Sequence, residues 1–321
     1  MPEQDAVRPL NIIDIFRETF SIYRRNALTF LTISAVVLLP LALISTVFAT
    51  ISVETLNNIE QTSLLNDPTS MPAVPPELIS VLLNTLIVSY LTVIAQLVLA
   101  NSVITRLSLQ DRLGIPAKSV MDTIREILPQ WPKIIAAYTG LLLLIVAMSI
   151  GLALVYYACG LGFGLIFYLA TAGSTFLVPV YIIEGSPFKS GIKYSWALGR
   201  KYIWITIRIT IVLVILMIII TSITNMIQQL LVSNTVITET LQIILILIDT
   251  LGTIIIAPIM PIAFTVLYTM ILQQNLVTSV TELFTPQELG TLLTGKDLSN
   301  IGLICLLGFL IIMTVTLFLI A

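Results

Sequence analysis

Asp249 is the one carboxylate set inside an apolar run, in Ile248-Asp249-Thr250. A charge in hydrocarbon costs roughly 2.5–3.5 kcal/mol on insertion scales, so such a residue is a candidate for transport or proton relay. A second reading stands beside it. Counting back from Gln273 by about 20 residues, the length that crosses a bilayer, reaches Thr253, which leaves Asp249 solvated or protonated at the outer interface. The other candidates are the basic and aromatic side chains Lys189, Lys193, Arg200, Lys201, Trp196 and Trp204. Their chemistry suits lipid: cations for headgroup phosphates, indole rings for the acyl boundary. They serve equally to anchor the ends of membrane spans. Arg208, little more than a turn into an apolar run, can snorkel to headgroups. Asn84 and Gln96 can hydrogen-bond to neighbouring helices.

Other chemistries are excluded by what the chain lacks. It has no histidine, which removes imidazole bases, histidine metal sites and histidine-ligated haem. Of its two cysteines, Cys159 falls in a short loop and Cys305 in a late apolar run, so no structural disulfide is expected. Cys159-Gly160-Leu161-Gly162-Phe163-Gly164 is not a dinucleotide fingerprint, since no strand precedes it; it reads as a tight turn with a packing face. No catalytic residue, metal site, cofactor or nucleic-acid partner is expected.

These residues must be positioned by helices in lipid. Of the chain's 321 residues, 57% are hydrophobic and 10% charged, and mean hydropathy is +1.05; soluble domains carry roughly 25% charged residues. Apolar runs near 27–51, 78–100, 134–157, 161–183, 203–223, 241–271 and 300–320 predict an all-α, polytopic membrane helical bundle of about seven spans. Pro258 and Pro261 predict a kink in the sixth. No removable signal peptide is expected in the polar first 26 residues.

All 15 Lys and Arg residues fall before the first span, between spans two and three, between four and five with Arg208 just inside span five, or before span seven. The connections near 52–77, 158–160 and 224–240 hold none. This sorting predicts a multi-pass protein of the cell membrane with the N-terminus in the cytoplasm and the C-terminus outside. The 52–77 connection, with Glu54, Glu60, Asp67, Glu77 and four prolines, reads as an outer surface loop.

The basic segments also repeat. Pro116-Ala117-Lys118-Ser119 recurs as Pro187-Phe188-Lys189-Ser190, and each runs through an amphipathic stretch into a span; the stretch from Ile15 to Arg25 has the same character. The expected unit is an interfacial helix plus a two-span hairpin, used at about 10–100, 115–183 and 186–275. These form a six-span domain, 1–275. Residues 276–321 add a short cytoplasmic helix, with Thr285 as N-cap, Pro286 at the first position and Glu288 as capping-box partner, then a peripheral seventh span after a stop at Gly295.

The segment Ser195-Trp196-Ala197-Leu198-Gly199-Arg200-Lys201-Tyr202-Ile203-Trp204, preceded by Glu184-Gly185, resembles the signature of a bacterial membrane-protein family named for the membrane domain of glycerophosphoryl diester phosphodiesterase. Phe20-Ser21-Ile22-Tyr23-Arg24-Arg25-Asn26, Leu39-Pro40 and Phe176-Leu177-Val178-Pro179-Val180 are similar to other parts of it. The likeness covers about residues 10–275. It departs after Tyr268, where the family shows an Asp and Arg pair and this chain has Thr269, Met270 and Gln273, and the seventh span is an addition. The resemblance implies a six-helix membrane unit and no reaction, because the phosphodiesterase chemistry belongs to a separate histidine-containing barrel that the likeness does not reach. The expected function is a non-catalytic scaffold or accessory subunit of a membrane assembly, contacting membrane lipids and anionic cytoplasmic headgroups, with span 300–320 open to partner subunits. The rival is a transporter or lipid-handling protein using the repeat interface and Asp249.

Overall fold

Each amphipathic stretch ahead of an apolar run folds as a helix of its own and passes almost at once into a longer one. The computed structural model describes residues 10–63, 76–116, 119–159, 161–232, 239–290, 294–297 and 299–304. Helix α1 (Ile12–Arg25) precedes α2 (Ala27–Ser63); α3 (Pro76–Ala95) continues through a π-helical turn, Gln96–Asn101, into α4 (Ser102–Arg112). Helix α5 (Val120–Ile127) leads through a 3-10 turn into α6 (Trp131–Cys159), followed by α7 (Leu161–Ser174) and α8 (Leu177–Glu184). Helix α9 (Phe188–Lys201) enters α10 (Ile203–Val232), and α11 (Glu239–Ile256), α12 (Ile259–Gln274) and the short α13 (Pro286–Gly290) complete the order. There is no strand among the described residues. Among the described residues, six helices are long and apolar enough to cross a membrane: Ala27–Ser45, Ile79–Arg112, Val120–Ala147, Phe167–Glu184, Ile203–Leu230 and Leu247–Gln274. They correspond to the first six expected spans. Of the expected seventh, residues 305–321 lie outside the described residues.

Local chemistry sets the helix ends. Asn11 Oδ1 accepts from the Ile13 amide at 3.1 Å and starts α1, whose Asp14 and C-terminal Arg24 and Arg25 complement its dipole. Ser119 caps α5 by accepting from the Asp122 amide at 3.1 Å. The two matching Pro-x-x-Ser stretches are not used alike: Ser119 is an N-cap, whereas Pro187 caps α9 and Ser190 already lies in its first turn. The expected kink at Pro258 is a break, with α11 ending at Ile256 and α12 starting at Ile259. The fourth span breaks too, between α7 and α8, where Pro179 has no amide proton to give the Thr175 carbonyl.

Several expected loops are helix instead. Helix α2 continues to Ser63 and α3 begins at Pro76, so much of the 52–77 connection is helical; α10 runs on to Val232. Cys159 is the last residue of α6 rather than part of a loop. Helix α4 occupies what looked like a connection after span two, and its Ser102, Thr105, Ser108 and Gln110 are buried in protein. Apolarity in a window tracks lipid contact, and it falls where a helix meets a polar protein surface.

The chain forms two compact units. The first joins Met1–Arg25, Ser102–Val214 and Ile259–Ala321. Its centre is α12, buried from Pro261 through Thr269 and packed against α1, α4 and α8. The second joins Asn26–Asn101 and Ile215–Pro258. Within it α2 packs on α3 and α11, and Gly252 brings α11 close to Thr224 and Ile220 of α10. Exposed Leu83, Leu86, Ile87 and Leu91 on α3 and Ile215, Ile218 and Ile219 on α10 give this unit a lipid-compatible exterior.

Candidate functional site

In the first unit α9 lies against α7 along a row of small residues. Gly191, Ser195 and Gly199 recur every fourth position, one helical face, and all three are buried. A Cβ on Gly199 would sit 2.0 Å from the Ala172 carbonyl oxygen, and one on Gly191 2.5 Å from the Tyr181 ring. Ser195 Oγ donates to the Gly173 carbonyl at 3.0 Å. Small side chains allow such backbone approach in membrane bundles, where close packing replaces the hydrophobic effect.

The same helix then delivers polar side chains to the segment beyond α12. Asp297 is buried, 5% exposed. Its Oδ1 accepts from Tyr168 Oη of α7 at 2.7 Å. Its Oδ2 accepts from Arg200 Nη1 at 3.3 Å and from the Thr294 amide and hydroxyl, each at 2.6 Å. Burial pushes this carboxyl up, but the Thr294 hydroxyl, Tyr168, the Thr294 amide and Arg200 together hold it below its ordinary range. Around it, Trp204 Nε1 donates to Asn300 Oδ1 at 3.1 Å, Asn275 Nδ2 donates to Tyr202 Oη at 3.1 Å, and Lys201 Nζ stands 5.4 Å from the Phe284 ring. Ile301 and Ile304 pack with Tyr168, Ile203 and Ile207.

Two further polar centres lie in the same unit. Glu184, at the end of α8, accepts from Tyr268 Oη at 2.5 Å, Ser279 Oγ at 2.6 Å and the Val280 amide at 3.2 Å. Arg112, at the end of α4, pairs through Nε with Glu18 at 2.6 Å and donates to the Val266 carbonyl and Gln273 Oε1 at 3.0 and 3.1 Å. Each centre joins helices distant in sequence, and two of them bind the segment after α12. Thr269 of α12 returns its hydroxyl to the Thr265 carbonyl of its own helix.

The expected site residues separate accordingly. Lys189, Lys193 and Lys201 are exposed. Arg200, read from the sequence as a headgroup contact, forms an ion pair with buried Asp297, its side chain 10% exposed. Trp196 is half-buried edge-on to Tyr168, centroids 6.3 Å apart, and Trp204 holds Asn300. Asp249 is exposed on α11, and its carbonyl accepts from the Thr253 hydroxyl at 3.2 Å. Arg208 is exposed on α10. The capping box at Thr285 and Glu288 forms as expected, with the Thr285 amide donating to Glu288 at 2.8 Å. A second box, Thr294 with Asp297, went unread: Gly295 begins a helical segment instead of stopping one. Its Thr-x-x-Asp spacing was the available signal. The start of the expected seventh span is therefore packed into the first unit through Asn300, Ile301 and Ile304.

Fold and site together define a multi-pass α-helical membrane protein whose buried charges tie its helices and its post-α12 segment to one another. Comparison with family models, curated proteins and solved structures finds no match to this chain.

Proposed function

We propose that the chain is a non-catalytic integral membrane scaffold or accessory subunit of a larger assembly in a bacterial cell membrane, with its N-terminus cytoplasmic and its C-terminus outside. The observation that carries this reading is Asp297. A carboxylate with four donors from α7, α9 and its own capping turn fixes a segment in place, and that segment leads directly into the last apolar run. The Arg112 and Glu184 centres work alike, holding helix ends together. The sorting of Lys and Arg supports the orientation. The resemblance to the membrane family around Ser195–Trp204 supports a membrane unit that does no chemistry of its own.

In this reading the last apolar run, residues 305–321, is what the chain offers to a partner subunit. The test is purification from native membranes in mild detergent, comparing the full chain with one ending at Ile304, which keeps the Trp204–Asn300 bond. Stoichiometric membrane partners retained by the full chain and lost from the shortened one are expected. A lone monomer from both would overturn the proposal and favour a carrier.

A further inference from the structure

We infer that the outward face of α9 formed by Phe188, Lys189, Ile192 and Lys193 is a docking surface for anionic phospholipid, and that Arg200 has no part in it. The inference stands whether or not the chain has partner subunits.

At 3.6 residues per turn, Phe188 and Ile192 make one row on α9, while Lys189 and Lys193 make a second about 100° further round. All four are exposed, the two apolar side chains at 39% and 38%. The buried row of Gly191, Ser195 and Gly199 adjoins the apolar one. Passing round the helix, protein contact therefore gives way to an apolar row and then to a basic row. A helix lying in the membrane interface needs that order: apolar side chains into the acyl boundary, cations toward phosphate. Trp196, two turns further on, packs edge-on to buried Tyr168 and belongs to the protein contact, not to this face.

Charge complementarity names the occupant. No Asp or Glu occurs from Gly185 through Thr238, so α9 carries no acid of its own. The charge at its C-terminal end meets acids brought by the later segment: Arg200 is paired with Asp297, and Lys201 adds to the depression of the Glu288 carboxyl. Lys189 and Lys193, at the other end, remain exposed. A surface of apolar side chains beside two cations, at the mouth of a membrane span, fits an anionic phospholipid rather than a zwitterionic one.

The experiment is native mass spectrometry of the full chain in detergent, supplied with equal phosphatidylglycerol and phosphatidylcholine, reading the ratio of retained lipids. The wild type should favour phosphatidylglycerol. Lys189→Gln with Lys193→Gln should reduce that preference at least fivefold, since one cation near an anionic surface is worth about fivefold, and Lys189→Arg with Lys193→Arg should restore it. Circular dichroism confirms that each variant is folded. An unchanged preference in the glutamine variant would overturn the inference. So would equal loss in the arginine variant, because the effect would then follow from shape and not charge.

Discussion

Gly199→Ala adds a single methyl group, and the structure gives its consequence a sign and a size. The new Cβ would lie 2.0 Å from the Ala172 carbonyl oxygen, 2.6 Å from its carbonyl carbon and 2.7 Å from its Cα. An ordinary C···O approach is about 3.3 Å, so α7 and α9 must separate by roughly 1 Å. No side-chain movement relieves the clash, because these three nearest atoms are all backbone. Overpacking of this kind costs typically about 1–3 kcal/mol, and a rigid neighbour puts this case at the upper end. Alanine returns about 1 kcal/mol of helix propensity. The expected net loss is about 2 kcal/mol, roughly a 30-fold shift of the folding equilibrium. Separation also strains the Ser195–Gly173 bond and the Arg200–Asp297 pair on the same helix. The assay is reversible unfolding in mixed detergent and sodium dodecyl sulfate, followed by tryptophan fluorescence. Gly140→Ala is the control, with nothing within 4 Å of the added carbon, and should lose no stability. If Gly199→Ala is as stable as that control, the claim that α7 and α9 touch through backbone is wrong.

Asp297→Asn should destabilise the protein at neutral pH by about 3 kcal/mol, because it strips a buried guanidinium of its counter-charge. Asp297 is held below its ordinary value of 3.8, so its contribution is present above that value and is lost as pH falls through the lower folded one. The gap between wild type and variant in an unfolding titration should accordingly begin to narrow below about pH 4 and close only once pH has fallen through the lower folded value; a gap with no dependence on acid pH would refute the ion pair. Orientation is open to labelling: a cysteine introduced at Asn66 should react with an impermeant thiol reagent in intact cells, and one at Ala117 should not. The reverse pattern would invert the topology.

The spans were legible because hydropathy reports which solvent a helix meets. Six apolar runs, from 27–51 to 241–271, correspond to six long apolar helices, and the proline pair in the sixth marks its break. Legibility stopped where helices leave lipid for protein. Helix α4 reads as a polar connection because Ser102, Thr105, Ser108 and Gln110 are polar, yet all four are buried. No window average separates a polar group facing water from one facing another helix. The π-helical turn at Gln96–Asn101 has no composition signal for which we have an account. The Asp297 centre was hidden for a different reason. Its partners Tyr168 and Arg200 lie 129 and 97 residues away, so only the packing of α7 and α9 reveals the pairing. The local half of that centre, Thr294 with Asp297, was readable as a capping box.

Topological sorting counts cations without asking what neutralises them, and the structure divides those cations into two kinds. Arg112 and Arg200 are engaged by carboxylates from distant parts of the chain, with side chains only 9% and 10% exposed. Arg25 pairs with Asp111, and Arg106 with Glu126. Lys189 and Lys193 stand exposed instead. The residue types fit the division. A guanidinium is weakly hydrated and offers a planar fork, so it can be buried against carboxylate and carbonyl oxygens at once, as Arg112 is. An ammonium is more strongly hydrated and favours an exposed position. The positive charge that holds the chain together and the positive charge left exposed are thus carried in part by different residues. A sequence reading that places Arg200 with Lys189 and Lys193 merges two environments, a buried ion pair and an exposed surface, that the fold keeps at opposite ends of one helix.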